Sequence, residues 1–143
     1  MPSDRQTMVI SNNTARLADI RRMVSEGIDA AGFPGDQRNK VMLAVDEAVT
    51  NIIEHAFPNV PANKGVIHLT QLVEEDFYRI EIVDDGMLYF DSNNYGDVDI
   101  EKHVAEGNKG GLGVFLMRRI MDVVEYSFES NRRNRLILMK YAD

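Results

Sequence analysis

Apolar residues recur at helical spacing in two parts of the N-terminal half of the chain. The first set repeats at steps of three and four residues and consists of Leu17, Ile20, Val24 and Ile28. This spacing predicts an amphipathic helix that ends near the sequence AAGFPG. A second helix is predicted from about residue 36 to residue 58, because glycine and proline bracket that segment.

The second helix has two distinct faces when successive residues are placed at about 100° to one another. Its apolar face holds Val41, Val45, Val49, Ile52 and Ala56, and its polar stripe holds Glu47, Asn51, Glu54 and His55. Glu47 and Asn51 are four residues apart, so a carboxylate and an amide project from adjacent turns. Periodicity alone favours a solvated surface over an active site, since polar helix faces are usually exposed to water.

The remaining regular segments have the composition of β-strands. A short strand is expected around residues 7–10, and GVIHLTQLV and FYRIEIVDDG predict a hairpin with one exposed face, because apolar and polar residues alternate in the second run. GLGVFLMRRIMDVV returns to helical spacing, and VEYSFES and RLILMKY are typical of closing strands. The pattern predicts a two-layer α+β fold, in which helices cover one face of a mixed, mostly antiparallel sheet.

Composition narrows the function classes. At 143 residues, with 44% hydrophobic and 27% charged residues, the chain is predicted to form a single globular domain over residues 1–143. The net charge of -7 disfavours direct binding to nucleic acid, and the absence of cysteine excludes thiolate catalysis. No apolar run is long enough to span a bilayer, and the N-terminal residues lack the pattern of a signal peptide. We therefore expect a cytoplasmic protein with no membrane partner.

Two further stretches have the composition of ligand-binding loops. IEIVDDG places Asp84 at the end of a strand, just before Gly86, where a carboxylate can accept a hydrogen bond from a ligand amino group. GNKGGLG precedes a helix, and its glycines can expose backbone N–H groups to a phosphate. Each stretch also has an ordinary interpretation: the first as a turn, and the second as a plain glycine-rich loop. Taken together in chain order, however, the polar stripe of the second helix, IEIVDDG and GNKGGLG have the order of the parts of an ATP site.

At these motifs the chain resembles the GHKL ATP-binding fold and, within it, the bacterial anti-sigma-factor serine kinases. DEAVTNIIEHAF is similar to the N box of the family, VDDG to its first glycine box and GGLGVFLMRRIMDVVEY to its second. The resemblance extends from about residue 12 to residue 140. It implies an ATP- and Mg²⁺-dependent protein serine kinase that binds a sigma factor and phosphorylates a small anti-anti-sigma protein of the STAS type.

The resemblance also implies roles for individual residues. Glu47 corresponds to the general base, Asn51 to a ligand of Mg²⁺, and Asp84 to the acceptor for the adenine amino group. The remaining nucleotide-binding residues are expected to be Thr50, His55, Gly86, Lys109, Gly110, Gly111, Leu112 and Gly113. For His55 the residues themselves also allow a capping or packing role at the end of the helix. Residues 87–109 correspond to the ATP lid, and Arg16 to a helix through which members of the family meet their sigma factor and form homodimers.

The chain departs from the family pattern at two places that bear on nucleotide affinity. Leu88 stands where many members have a second glycine, and Asn134 and Arg135 stand where some have Gly-Thr before the last strand. A nucleotide-gated binding module without phosphotransfer is the alternative function, although retention of Glu47 favours the kinase. The catalytic domain of a histidine kinase is a weaker alternative, because it needs an upstream helical domain with a phospho-acceptor histidine.

Overall fold

The structure, a computed structural model, describes residues 4–55, 61, 64–74, 76–85, 117–129 and 133–141. The strands are β1 (Asp4–Ser11), β2 (Val66–Val73), β3 (Phe77–Asp84), β4 (Val123–Glu129) and β5 (Arg133–Tyr141). The helices are α1 (Leu17–Ala31), which follows a 3-10 turn at Thr14–Arg16, and α2 (Gly35–His55). Residues 117–120 are also helical.

The five strands form one sheet in the order β1-β2-β3-β5-β4, and every pairing between them is antiparallel. Alternate residues of each inner strand are buried, so one face of the sheet forms the floor of the core. Residues of α1 and α2 complete the same core. The predicted α+β architecture with a mostly antiparallel sheet is therefore confirmed.

Helix α1 ends where the sequence predicts. Gly32 adopts a left-handed backbone conformation with φ of 77°, and its N–H donates to the carbonyl oxygen of Asp29 at 3.2 Å. Glycine takes this conformation without the steric cost that a Cβ atom imposes, so it terminates the helix. The short connection that follows returns α2 antiparallel to α1, and two ion pairs, Arg21 with Asp46 and Arg38 with Asp29, join the helices.

The apolar face of α2 is wider than the sequence predicts. Val41, Val45, Val49 and Ile52 are buried as expected, and Ala44 and Ala48 are buried beside them. Because these two alanines lie on the side that faces the polar stripe, the buried sector extends as far as Asn51, which is only 6% exposed. The interpretation of the stripe as a simple solvated face is therefore wrong for Asn51.

The helix predicted in the C-terminal third is shorter than its periodicity suggests. The described helical residues end at residue 120, and β4 begins at Val123, so helical spacing through Val124 was misleading. Pairing with β5 overrides it, because the N–H of Asp122 donates to the carbonyl of Met139 at 2.9 Å and the Asp122 carboxylate accepts from the N–H of Tyr141 at 2.8 Å.

A hydrogen-bonded polar cluster lies inside the core. The fully buried Gln71 donates to the carbonyl oxygen of Met23 at 2.9 Å and to Oε1 of Gln6 at 2.5 Å, and it accepts from the hydroxyl of Tyr78 at 2.8 Å. Burial raises the pKa of the Tyr78 hydroxyl. The cluster ties α1 to the sheet at Gly27, where an added Cβ atom would come within 2.7 Å of the Gln71 amide.

No helix in the described part of the chain is long and apolar enough to cross a membrane.

Candidate functional site

Asp84 occupies the last position of β3, on the core face of the sheet. It is 2% exposed and is paired in register with Asn134, the second residue of β5. The side-chain nitrogen of Asn134 donates to Oδ1 of Asp84 at 3.0 Å, and the hydroxyl of Tyr126 on β4 donates to Oδ1 of Asn134 at 2.9 Å. A row of three polar side chains from three adjacent strands therefore ends at the Asp84 carboxylate.

The two consecutive aspartates of the VDDG motif have different environments. Asp85 is exposed, and its carboxylate accepts a hydrogen bond from the backbone N–H of Val66 at 3.0 Å. The backbone N–H of Asp85 in turn donates to the carbonyl of Val66 at 3.3 Å, which closes the β2-β3 pairing. Asp85 thus has a structural partner, whereas Asp84 is buried beside two polar side chains. The sequence predicts that Asp84 is the acceptor for the adenine amino group. The different environments of the two aspartates agree with this assignment, which stays a prediction.

Two consecutive carboxylates on α2 are also distinguished by their neighbours. Asp46 accepts two hydrogen bonds from the guanidinium of Arg21, at 2.7 and 3.0 Å, and the pKa of Arg21 is raised by this hydrogen-bonded carboxylate. Glu47 is half-buried and makes no ion pair or side-chain hydrogen bond with any residue in the described ranges. Of the two carboxylates, Glu47 is the one that is available as a proton acceptor.

Thr50 and Asn51 lie one turn further along α2, toward its C-terminal end. Thr50 is half-buried, and the Asn51 side chain is buried without a hydrogen-bond partner among the described residues. Its amide atoms are not among the fully buried atoms that lack a partner, so they keep some access to the surface, and this side chain is a candidate for binding a ligand. His55 is the last residue of the helix, and its side chain lies outside the described part.

Several predicted site residues fall outside the described ranges. These are Gly86, Lys109, Gly110, Gly111, Leu112 and Gly113, together with the predicted lid at residues 87–109. Their assignment to the nucleotide site remains a prediction from the sequence. The structure places Glu47, Thr50 and Asn51 on α2 and Asp84 on β3, both of which contribute to one core.

Sequence reasoning missed the contribution of Tyr126 and identified Asn134 only as a departure from a family pattern. Both contacts depend on the strand register, which sequence patterns do not give. The register brings Asn134 opposite Asp84 and places Tyr126 diagonally across from Asn134. The second departure, Arg135, is turned to the opposite face of the sheet, where its guanidinium binds the Glu81 carboxylate at 2.6 Å. Arg135 therefore does not contact Asp84.

The sequence between residues 10 and 140 matches the model of the histidine kinase-like ATPase domain family. Two solved structures have a similar fold. One contains the RsbU and RsbW domains of a Mycobacterium tuberculosis protein and matches with a TM-score of 0.62 at 10% identity, over 99% of this chain and 34% of that chain. A chain of the SiaB–SiaC complex from Pseudomonas aeruginosa matches with a TM-score of 0.64 at 12% identity, over 95% of this chain and 89% of that chain.

Similar sequences include serine-protein kinases named RsbW. The Halalkalibacterium halodurans protein is 31% identical over 127 residues, which are 86% of this chain and 75% of that protein. The Staphylococcus aureus protein (strain MRSA252) is 34% identical over 125 residues, which are 82% of this chain and 76% of that protein. The chain therefore belongs to the histidine kinase-like ATPase domain family, within the group of the RsbW serine-protein kinases.

Proposed function

We propose that this protein is an ATP-dependent serine kinase that acts as an anti-sigma factor. It binds a sigma factor and phosphorylates a small anti-anti-sigma protein of the STAS type on a serine. Family membership supports the ATP site and the kinase class. The observation that carries the proposal for this chain is the pair of adjacent carboxylates on α2, in which Arg21 binds Asp46 while Glu47 is left without an ion pair in the described residues.

Glu47 acts as the general base in this proposal. Its carboxylate takes the proton of the substrate serine hydroxyl as the serine oxygen forms a bond to the γ-phosphorus of ATP. The bond from that phosphorus to the bridging oxygen of ADP breaks at the same time, and ADP leaves with the bond's electron pair. Such transfer depends mainly on positioning and charge neutralisation, so the fixed orientation of the site residues is their main contribution.

Asn51 fits the expected role of a Mg²⁺ ligand. Its amide oxygen belongs to a buried side chain with no other partner among the described residues, and Mg²⁺ typically keeps several waters while binding one or two protein oxygens and the substrate phosphates. No group of three or more histidine, cysteine or acidic side chains that could hold a metal ion occurs within the described ranges. A Mg²⁺ ion held by this one protein ligand would neutralise part of the phosphate charge when it is bound together with ATP.

The adenine base is recognised by Asp84, whose carboxylate accepts a hydrogen bond from the exocyclic amino group. Thr50 and His55 on α2 complete the nucleotide site, together with Gly86, Lys109, Gly110, Gly111, Leu112 and Gly113, and residues 87–109 form the lid. A buried carboxylate with one oxygen already held by Asn134 presents a fixed acceptor, which suits recognition of an amino group.

The surface formed by α1 and β1 is the proposed partner interface. β1 is an edge strand with Val9 53% exposed, and a groove of about 440 Å³ runs between it and α1. Arg16 lines this groove and forms an ion pair with Asp19 at 3.2 Å. We assign both proposed partners, the sigma factor and a second copy of the chain, to this surface, as the resemblance to the anti-sigma-factor serine kinases implies. We also propose that the protein is cytoplasmic.

Phosphotransfer to a purified STAS-domain partner in the presence of Mg-ATP tests the proposal. Wild-type protein is expected to form phosphoserine on the partner, and Glu47→Gln is expected to lower the rate by at least about 100-fold while ATP affinity changes little. Glu125→Gln is the matched control, because it removes the same charge from an exposed position on β4. Parallel loss of ATP binding and transfer in Glu47→Gln would show that Glu47 is structural.

The alternative is a nucleotide-gated binding module that sequesters a partner without phosphotransfer. The same assay separates the two functions. ADP-dependent stabilisation of the wild-type protein, together with nucleotide-dependent partner binding and no phosphoserine on any candidate partner, would favour the binding module over the kinase.

A further inference from the structure

The hydrogen bonds in the row of Tyr126, Asn134 and Asp84 all run in one direction. The hydroxyl of Tyr126 donates to Oδ1 of Asn134 at 2.9 Å, and Nδ2 of Asn134 donates to Oδ1 of Asp84 at 3.0 Å. Each donor therefore faces Asp84, which accepts at the end of the row. An ionised carboxylate in this position can accept from a donor on a ligand but has no proton to give to a ligand acceptor.

Apolar side chains surround the inner part of the row. Ile67 lies opposite Asp84 on β2, Ile82 precedes Asp84 on the same face of β3, and Leu136 follows Asn134 on the same face of β5. These three side chains are at most 4% exposed, and Asp84 and Asn134 are each 2% exposed. In such surroundings a hydrogen bond is electrostatically stronger than in water, and an acceptor that faces another acceptor is costly.

Asn134 is the member of the row that can set its direction. The oxygen of an amide only accepts hydrogen bonds and its nitrogen only donates them. If this amide turned over, its oxygen would face Asp84, and the carboxyl group would need a proton to make the hydrogen bond. The hydroxyl of Tyr126 supports the observed orientation, because it donates to the amide oxygen.

We propose that Asn134 and Tyr126 are positioning residues that set the nucleobase selectivity of the site. They hold Asp84 as an acceptor, which favours a purine with an amino group at carbon 6 and disfavours a purine with an oxygen there. The inference rests on the proposed function, in which Asp84 accepts from the adenine amino group. It goes further, because it assigns the choice between the amino group and the oxygen to two residues that act through Asp84.

The test compares the binding of three nucleotides in the presence of Mg²⁺. Inosine triphosphate carries an oxygen in place of the amino group of ATP, and purine riboside triphosphate carries only hydrogen there. Wild-type protein is expected to bind ATP at least about tenfold more tightly than either analogue. Affinities are measured by competition with a fluorescent ADP analogue and without a protein partner, so the result does not depend on phosphotransfer.

Asn134→Asp keeps the shape of the side chain and removes its donor. Two carboxyl groups this close together tend to share one proton, so Asp84 can then donate to the oxygen of inosine. We expect the affinity for inosine triphosphate to rise by about threefold or more, while the affinity for ATP falls by about tenfold. Purine riboside triphosphate should gain nothing, since it has no acceptor at carbon 6. A general loosening of the fold would not strengthen the binding of one analogue alone.

Two further variants complete the comparison. Asn39→Asp introduces the same charge at an exposed position near the start of α2, and it should leave the ratios between the three affinities unchanged. Tyr126→Phe removes only the support of the amide orientation, so the ratio of the ATP affinity to the inosine triphosphate affinity should fall by about twofold to threefold. If circular dichroism shows that Asn134→Asp does not fold, Tyr126→Phe decides the test.

The inference is overturned if Asp84→Asn changes the ratio of the ATP affinity to the inosine triphosphate affinity whereas Asn134→Asp and Tyr126→Phe do not. The proposed nucleotide site would then stand without a role for the two residues in selectivity. Weakening of all three nucleotides in proportion by Asn134→Asp would also overturn it, because that result indicates a purely structural role. Equal binding of the three nucleotides by the wild type would instead contradict the assignment of Asp84 to the adenine amino group, and the inference would fail with it.

Discussion

The side-chain nitrogen of Asn134 lies 3.0 Å from Oδ1 of Asp84, across the pairing of β5 with β3. The amide nitrogen of Asn134 donates to Asp84, and its amide oxygen accepts from the hydroxyl of Tyr126. The orientation of the Asp84 carboxylate is thus set by the protein before a ligand binds. A side chain that departs from the family pattern therefore supports the residue expected to recognise adenine.

Replacement of Asn134 by leucine should lower both stability and nucleotide affinity. The variant keeps a side chain of similar size but removes the donor to Asp84 and the acceptor for Tyr126. We expect the free energy of unfolding to fall by about 1 to 3 kcal/mol, as for other hydrogen bonds to charged groups. Urea unfolding and ATP titration measure the two effects. Tyr126→Phe removes only the hydrogen bond from Tyr126 to Asn134, so its loss of stability should be smaller. Equal losses of stability in the two variants would contradict this prediction.

Asp84→Asn should weaken ATP binding by roughly tenfold or more, since a charge-assisted hydrogen bond to the adenine amino group becomes a neutral one. Asp85→Asn is the matched control, because asparagine keeps the oxygen that accepts from the N–H of Val66. Isothermal titration with ATP compares the two, with circular dichroism as a check on folding. Unchanged affinity in Asp84→Asn, or the same loss in both variants, would remove Asp84 from the nucleotide site.

Gly27→Ala should destabilise the protein even though alanine favours helices. Its Cβ atom would come within 2.7 Å of the Gln71 amide, which is held by three hydrogen bonds, so the expected cost is about 1 to 3 kcal/mol. Gly35→Ala is the control, because a Cβ atom there meets nothing within 4 Å. Thermal denaturation measures both variants. Truncation of Gln71 to alanine should make room for the new methyl group, so the combined loss should be smaller than the sum of the single losses.

The buried hydroxyl of Tyr78 makes stability depend on pH in the alkaline range. Its pKa is raised in the folded state, so the folded protein keeps a proton that the unfolded chain loses above a pH of about 10. The associated stability is complete below that pH and is lost as the pH rises further, by about 1.4 kcal/mol per pH unit.

Urea unfolding between about pH 9 and pH 11 tests this dependence. Tyr78→Phe should be less stable at neutral pH, because it loses the hydrogen bond to Gln71, but its stability should fall less steeply above pH 10. Parallel pH profiles for the two proteins would contradict the prediction. Tyr141→Phe, at an exposed position at the end of β5, should retain the wild-type slope.

Local patterns in the sequence predicted most of the fold. Helix α1, its glycine stop, the β2-β3 hairpin and the apolar face of α2 follow from spacing and turn chemistry, which act over a few residues. The burial of Asn51 and the start of β4 at Val123 depend on packing between distant segments, and periodicity does not record them. The same limit explains why the ion pair of Asp46 is not predicted, since its partner Arg21 lies 25 residues away on α1.

The buried polar pairs also determine how the strands align. In an antiparallel sheet a slip of two residues keeps every apolar side chain on the core face, so apolar contacts alone permit several alignments. Such a slip of β1 would place Gln6 opposite Leu69 or Val73 instead of Gln71, and a slip of β5 would place Asn134 opposite Ile82. Each broken pair would leave a buried side chain, Gln71 or Asp84, without this hydrogen bond, at a cost of about 1 to 3 kcal/mol. The Gln6–Gln71 pair therefore specifies the register of β1, and the Asn134–Asp84 pair specifies the register of β5. The second pair also fixes the position of Asp84 itself.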